Sequence, residues 1–391
     1  MYQGKNIKEQ SKIFIKLLLP VLIYQIISYS SSMIGTFMAG HYSPTDLAGV
    51  SMGVNIWNPV MYTLNSIVLA IVPIVSQLIG KGREQEIPTK VRQFLYIAVF
   101  ISIILIIGLN TLAEPIVNSL GMDENIARVT KKYLFYESIG VLPIFLYVVL
   151  RAFMDSLGLT RLSMIMMVIS VPVNVLLAYG FIFGKLGMPE LGGAGNGMAV
   201  SLTYTALFFI ALFLTLKHPK INKYKIFEKE GIKFTHWLEI FKLGVPIAIA
   251  TALETVVFST LSLMVSRFDT TIIASHQAAL NFSGFLYSLP VSVANTVTII
   301  VAYHVGAKNY KMAKRYTLLG VIMGMIFAFI AGLIVWIFDS NIPYLYSKDL
   351  GVIGLTAHLL LYAIGFAICD SFASALAGVL RGYKKVIPIC V

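Results

Sequence analysis

The chain has 391 residues, of which 58% are hydrophobic and 12% are charged, and its mean hydropathy is +0.82. Soluble domains carry roughly 25% charged residues, so this composition excludes a soluble fold, and its apolar content excludes intrinsic disorder. Two cysteines, Cys369 and Cys390, are too few for a disulfide framework.

Ten apolar runs are each long enough to cross a bilayer core of about 30 Å, which takes roughly 20 helical residues. They lack the alternation of barrel strands and therefore predict a helical bundle. The first run is longer than the core of a signal peptide and lacks a small-residue cleavage site, so we expect it to remain as a helix. The runs cover about 13–38, 49–79, 93–112, 133–153, 163–184, 197–216, 238–266, 279–305, 316–338 and 353–380.

The net charge of +12 comes from basic residues that lie mainly on one side of the predicted membrane. With a cytoplasmic N-terminus, 24 of the 30 Lys and Arg residues fall on the inner side, and none falls in the middle of a run. This asymmetry predicts a multi-pass protein of a bacterial cell membrane and argues against nucleic-acid binding. The six residues expected outside are Arg128, Lys131, Lys132, Lys185, Arg267 and Lys348.

The sequence repeats itself weakly at a shift of 226 residues, which aligns Pro20 with Pro246, Asn55 with Asn281, and Gly80 with Gly306. Six helices per copy return the chain to the same side, so the two copies are predicted to be parallel. We therefore expect a six-helix lobe over 1–216, a basic cytoplasmic linker over 217–237 that lies near anionic lipid, and a second lobe over 238–391.

A complete second copy would need two helices beyond the tenth, whereas the sequence ends at Val391. The expected fold is thus an all-α bundle of two parallel-repeat lobes, with the last two helices of the second lobe missing. We expect a truncated or incompletely recorded twelve-helix protein.

Two carboxylates fall in the middle of apolar runs, namely Glu254 in the seventh and Asp370 in the tenth. A charge at that depth costs at least a few kcal/mol, which favours a group that binds a cation or carries a proton over a protonated acid with a packing role. The other acids lie in loops or near helix ends. This location is least clear for Glu137, which is near the start of the fourth helix. The repeat places Ser28 and Gly140 opposite the two deep acids, so cation chemistry is expected only in the second lobe.

Neutral polar residues also lie within the runs, where each either joins helices or lines a cavity. Asn55 and Asn281, which the repeat matches near the outer helix ends, are predicted to line a cavity, and Gln277 and Asn174 are further candidates.

Four stretches of the sequence resemble the multidrug and toxic compound extrusion family, in its NorM-like branch. The resemblance implies a V-shaped monomer of two lobes around a central cavity. It also implies export of small organic cations in exchange for Na⁺ or H⁺, with no other cofactor and no enzymatic activity, and a cation site at Glu254 and Asp370. The stretches are Met38-Ala39-Gly40 with Ser43 to Ala48, Pro189 to Gly193, Ala274 to Ser283, and Val379 to Lys384.

The sequence departs from the family pattern at two positions. Gly35 stands where NorM-like proteins often carry an acid, and Phe366 replaces an aromatic hydroxyl one turn before Asp370. Cation binding would then need the two acids together with backbone or water oxygens. Asn174 matches a polar position of the first lobe.

Other functions stay open at this point. A lipid-linked oligosaccharide flippase of the same superfamily would need a cationic cavity, and no Lys or Arg falls in mid-membrane. An intramembrane enzyme would use Glu254 and Asp370 as an acid and base pair, although neither acid lies in a protease-like motif. A channel or a receptor is a further alternative that the parallel repeat disfavours.

Overall fold

The computed structural model describes residues 2, 4–265, 268–339, 341–345 and 349–389. Within these ranges all regular structure is helical, and ten helices are long and apolar enough to cross a membrane. This confirms the predicted all-α membrane bundle. Arg267, Lys348 and Cys390 lie outside the described residues.

Seven helices precede the linker and form the first lobe. They are α1 (Ile7–Tyr42), α2 (Pro44–Val68), α3 (Ile71–Gly80), α4 (Ile87–Ser119), α5 (Glu124–Ser156), α6 (Thr160–Phe183) and α7 (Gly195–Lys217). The linker contains the single turn α8 (Pro219–Asn222). The second lobe is formed by α9 (Phe234–Val265), α10 (Thr270–Gly306), α11 (Tyr310–Ile337) and α12 (Leu350–Gly382).

Several helices begin at polar capping residues that lie outside the apolar runs. These helices are therefore longer than the runs themselves. Asn6 accepts a hydrogen bond from the backbone of Glu9 at 2.9 Å, and Ser43 caps α2 directly before a proline at its first position. Asp123 caps α5 ten residues before the predicted start of its apolar run, about 133. The polar first turns therefore extend beyond the hydrocarbon region.

The second membrane crossing, predicted as one run, is interrupted between α2 and α3. Pro73 has no backbone N–H, so the carbonyl of Leu69 cannot accept its usual helical hydrogen bond. Leu69 instead accepts from Val72 at 3.1 Å, and Ala70 donates to Ile67 at 3.3 Å, which is the tighter pattern of a 3₁₀ turn. The two helices nevertheless form one continuous span, Pro44–Gly80.

Successive membrane-spanning segments run in alternating directions between two ends of the bundle, and α2 and α3 together form one such segment. We name the end that carries the linker residues 218–233 the linker face, and the other end the opposite face. At the linker face Gln77 donates from Nε2 to the carbonyl of Gly382 at 2.8 Å. At the opposite face the backbone of Gly193 donates to the Asp46 carboxylate at 2.6 Å.

The two lobes are packed together in their linker-face halves. α3 crosses α10 where Gly80 and Gly306 meet, and a Cβ on Gly306 would lie 2.2 Å from the carbonyl oxygen of Gln77. Phe14 and Leu18 of α1 are buried in the core of the second lobe. The larger core lies mainly in the first lobe and also includes buried residues of the first half of α9.

Candidate functional site

The two acids predicted to bind a cation lie in the second lobe on different helices. Glu254 is in the interior of α9 and Asp370 in the interior of α12, as the sequence places them. The Glu254 side chain is exposed and that of Asp370 is half-buried. The two carboxylates interact electrostatically. Because like charges repel, such a pair favours a bound cation or a shared proton.

Two hydroxyl groups that the sequence did not single out stand beside the acids. The phenol of Tyr287, on α10, interacts with both Glu254 and Asp370. The hydroxyl of Ser374 interacts with Asp370 from one turn further along α12. The four-residue spacing predicts the position of Ser374. Nothing in the sequence places Tyr287 there, because it comes from another helix.

Asp370 and Tyr287 line a small cavity between α10 and α12, together with Ser283 and Phe366. Its volume of about 10 Å³ leaves room for one particle the size of a water molecule. Carboxylate and hydroxyl oxygens are the donors that hard cations prefer. Phe366 adds no oxygen, and its ring packs edge-on against Phe258 at 5.9 Å. The donor set thus fits one small cation or a proton.

Two carboxylates, those of Glu254 and Asp370, belong to this set of oxygen donors. Among the residues that the structure describes, no three His, Cys, Asp or Glu side chains converge in the manner of a structural metal site. Arg381 lies on the linker-face side of the acids and interacts with Glu254 and Tyr287. Its positive charge offsets part of the negative charge of the pair.

The four neutral candidates occupy other places. Asn174 is buried between α6 and α7, where its Nδ2 donates to Thr203 at 3.3 Å. Asn55 is exposed on α2. Gln277 and Asn281 lie on α10 roughly two to three turns from Tyr287, and the carbonyl of Asn281 accepts a hydrogen bond from Tyr29 of α1 at 2.9 Å.

Sequence comparison identifies the family. The sequence model of the MatE family matches residues 20–180 and 246–391. The chain belongs to the MatE family. It is 40% identical over 387 residues to a "Probable multidrug resistance protein NorM" of Oceanobacillus iheyensis, a match that covers 99% of this chain and 87% of the relative. A protein of the same name from Streptococcus pneumoniae R6 is also 40% identical, with 85% of its length covered.

Solved MATE structures share the fold of this MatE chain. The eukaryotic MATE transporter AtDTX14 aligns with a TM-score of 0.87 at 18% identity, over 96% of this chain and 83% of that one. An outward-facing multidrug resistance MATE transporter of the MOP superfamily aligns with a TM-score of 0.88 at 14% identity, over 97% and 84%. At these identities the likeness concerns the fold alone.

The first lobe of this MatE chain holds a carboxylate that the sequence prediction misplaced. Glu137, expected near a helix start, lies about 20 Å along α5 by helix rise and is 1% exposed. The expectation was wrong because α5 begins at Glu124, well before the apolar run. An Asp123 cap followed by an acid is the sequence signal that could have located this start.

Gly35, one of the two positions noted above as departing from the expected pattern, lies directly against the side chain of Asn196. A Cβ on Gly35 would lie 1.7 Å from Oδ1 of Asn196, which is buried beside it. The Asn196 amide therefore occupies the space that a side chain on α1 would fill. An acidic side chain at position 35 would therefore require the Asn196 side chain to move.

Proposed function

We propose that this MatE chain is a secondary active multidrug efflux transporter that exports small organic cations in exchange for Na⁺ or H⁺. The observation that carries the proposal is the pair of interacting carboxylates Glu254 and Asp370, with the Tyr287 phenol beside both. A carboxylate within a membrane-spanning helix is costly and is usually functional. The names of the NorM relatives support multidrug export as the transport activity.

The transport cycle follows from two lobes that close at one end at a time. We place the lobes at 1–216 and 238–391, joined by the linker 217–237, in a monomer of the bacterial cell membrane. The excess of Lys and Arg assigns the linker face to the cytoplasm. When the linker-face halves separate, an organic cation enters and the negative site attracts it. Na⁺ or H⁺ from outside then neutralises Glu254 and Asp370, and the organic cation leaves outward.

Neutralising either acid tests the proposal. The variants Glu254→Gln and Asp370→Asn keep the shape of the side chain and remove its charge. We expect both to lose export of ethidium from proteoliposomes and to weaken equilibrium ethidium binding, measured by fluorescence anisotropy. Glu124→Gln, an exposed acid in the first turn of α5, is the matched control and should leave both measurements unchanged. Export and binding at the wild-type level in both site variants would contradict the proposal.

The coupling ion is identified by driving ethidium export separately with a Na⁺ gradient and with a pH gradient. Coupling through the two acids predicts that at least one gradient drives export in the wild type and that neither drives it in Asp370→Asn. Export that needs neither gradient would exclude ion coupling at this site.

A further inference from the structure

The first lobe contains a carboxylate with an unsatisfied oxygen in its interior. Oε1 of Glu137 accepts a hydrogen bond from the Tyr133 hydroxyl at 2.8 Å. Oε2 is buried and has no hydrogen-bond partner among the described residues. The second-lobe acids differ, because Glu254 is exposed and Asp370 is half-buried. A fully buried carboxyl oxygen with no partner calls for a chemical explanation.

The groups around Glu137 do not supply a positive charge. Tyr133 of α5 and Tyr204 of α7 interact with it, and Tyr62 of α2 interacts with both of these tyrosines. On α4, the amide of Asn110 donates to the hydroxyl of the residue after Glu137 at 3.4 Å. Within the described part of the chain, no basic side chain interacts with Glu137.

The remaining elements packed on α5 also leave the carboxyl without a cation. α3 and the turn Gly192–Ala194 contain no titratable residue, and the titratable residues of α6 lie near its two ends, at Arg161 and Tyr179. An ionised carboxylate isolated from water and from cations is strongly disfavoured. The arrangement is therefore that of a neutral acid whose proton sits on Oε2.

A second observation connects this acid with the linker face. Tyr204 interacts with Glu137 and also with Arg151, which lies nearly four turns further along α5. The rings of Tyr204 and Tyr147 are 5.9 Å apart, and the buried hydroxyl of Tyr147 interacts with Tyr24. Tyr204, Tyr147 and Tyr24 thus connect Glu137 to Arg151 through side-chain interactions, and we name these three residues the tyrosine column.

The column ends in a charged pair close to the linker face. Arg151 lies 4.6 Å from the ring centre of Tyr24 and pairs with Asp155 at 3.1 Å. Ser163 donates to the other oxygen of Asp155 at 2.6 Å. Asp155 is the penultimate residue of α5, and the side chains of Arg151 and Asp155 keep 14% and 10% of their surface exposed at this end of the lobe.

We propose that Glu137 is a proton-binding site of the first lobe, separate from Glu254 and Asp370, and loaded from the linker face through the tyrosine column. A proton adds to Oε2 of the carboxylate and yields the neutral acid that the closed packing requires. Loss of the proton leaves an unpaired anion, which the lobe accommodates only when water or a cation reaches it. Proton binding at Glu137 therefore favours the packed form of the first lobe.

Infrared spectroscopy of the membrane-reconstituted chain tests this site directly. A protonated carboxyl has a C=O stretching band that a carboxylate lacks. We expect such a band at neutral pH in the wild type, its loss in Glu137→Gln, and its retention in the Glu254→Gln, Asp370→Asn double variant. The readout does not depend on transport, so it can fail or succeed independently of the proposed efflux function.

Two further variants assign the band without removing the acid. Tyr133→Phe deletes the hydrogen bond to Oε1 and should move the band to higher wavenumber. Tyr204→Phe interrupts the column and should slow hydrogen–deuterium exchange of the band several-fold, whereas the exposed Tyr362→Phe should not. A spectrum unchanged in both Glu137→Gln and Tyr133→Phe would overturn the proton site, and unchanged exchange in Tyr204→Phe would overturn the route.

Discussion

At the scale of single residues, the proposed second-lobe site combines oxygen atoms from three helices. Glu254 and Asp370 were predictable because a carboxylate within a long apolar run stands out against the energetic cost of burying it. Tyr287 and Ser374 were not singled out, because hydroxyl residues are common in membrane helices and carry no such cost. Only their positions beside the two acids give them a role.

Removing the Tyr287 hydroxyl should weaken ion binding while leaving the fold intact. In Tyr287→Phe the acids lose a neighbouring donor oxygen, and a hydrogen bond to a charged group contributes about 1.5 kcal/mol, or about tenfold in affinity. We expect the half-saturating concentration of the driving ion to rise by about this factor in counterflow assays. Tyr362→Phe, an exposed tyrosine on α12, serves as the control. An unchanged ion concentration in Tyr287→Phe would exclude the phenol from the site.

At the scale of helices, the contact between α3 and α10 holds the linker face closed. The two helices cross at Gly80 and Gly306, which the repeat pairs with each other. A Cβ on Gly80 would lie 1.9 Å from the carbonyl oxygen of Tyr303, so only glycine permits this approach of the two backbones. The sequence aligns the two glycines, but their direct contact is a property of the folded bundle.

A larger residue at this crossing should open the linker face. We expect Gly306→Val to increase the distance between spin labels at Lys81→Cys and Lys308→Cys, both at exposed positions beside the crossing. Pulsed electron paramagnetic resonance measures this distance in a background where Cys369 and Cys390 are replaced by serine. Gly108→Val, where no atom lies within 4 Å of the added Cβ, is the matched control. Identical distances in Gly306→Val and wild type would contradict a closing role for the crossing.

At the scale of the whole molecule, the linker is fastened to the first lobe through Glu230. Its carboxylate pairs with Arg92 of α4 at 2.5 Å and accepts a hydrogen bond from Thr89 at 3.0 Å. Burial favours the neutral acid, yet the contacts with Lys233, Thr89 and Arg92 hold the pKa of Glu230 below its ordinary value. The charged form of Glu230 therefore stabilises the attachment of the linker to the first lobe.

The contribution of Glu230 should depend on pH in a defined direction. A lowered pKa in the folded state stabilises the protein fully above the ordinary glutamate pKa of about 4.3, and this stabilisation is lost as pH falls through the lowered value. We expect Glu230→Gln to reduce stability at neutral pH by about 2 kcal/mol, and the difference from wild type to vanish in acid.

Thermal unfolding in detergent at several pH values measures this difference. Glu228→Gln, whose side chain on the same linker is 60% exposed, should change the melting temperature little at any pH. A difference between Glu230→Gln and wild type that persists in acid would exclude the charge of Glu230 as its cause.

The sequence by itself determined the membrane class, the ten spans and the two acids of the second lobe. The thickness of the hydrocarbon layer sets the length of each apolar run, and a charge within that layer costs free energy. Both effects can be recognised in the sequence without knowing how the helices pack. The tertiary structure decided what depends on neighbouring helices, namely the Tyr287 phenol beside the acids, the glycine crossing and the buried environment of Glu137. Hydropathy assigns depth along a helix, whereas contacts depend on which face of the helix meets which partner, and that is fixed only when the bundle packs.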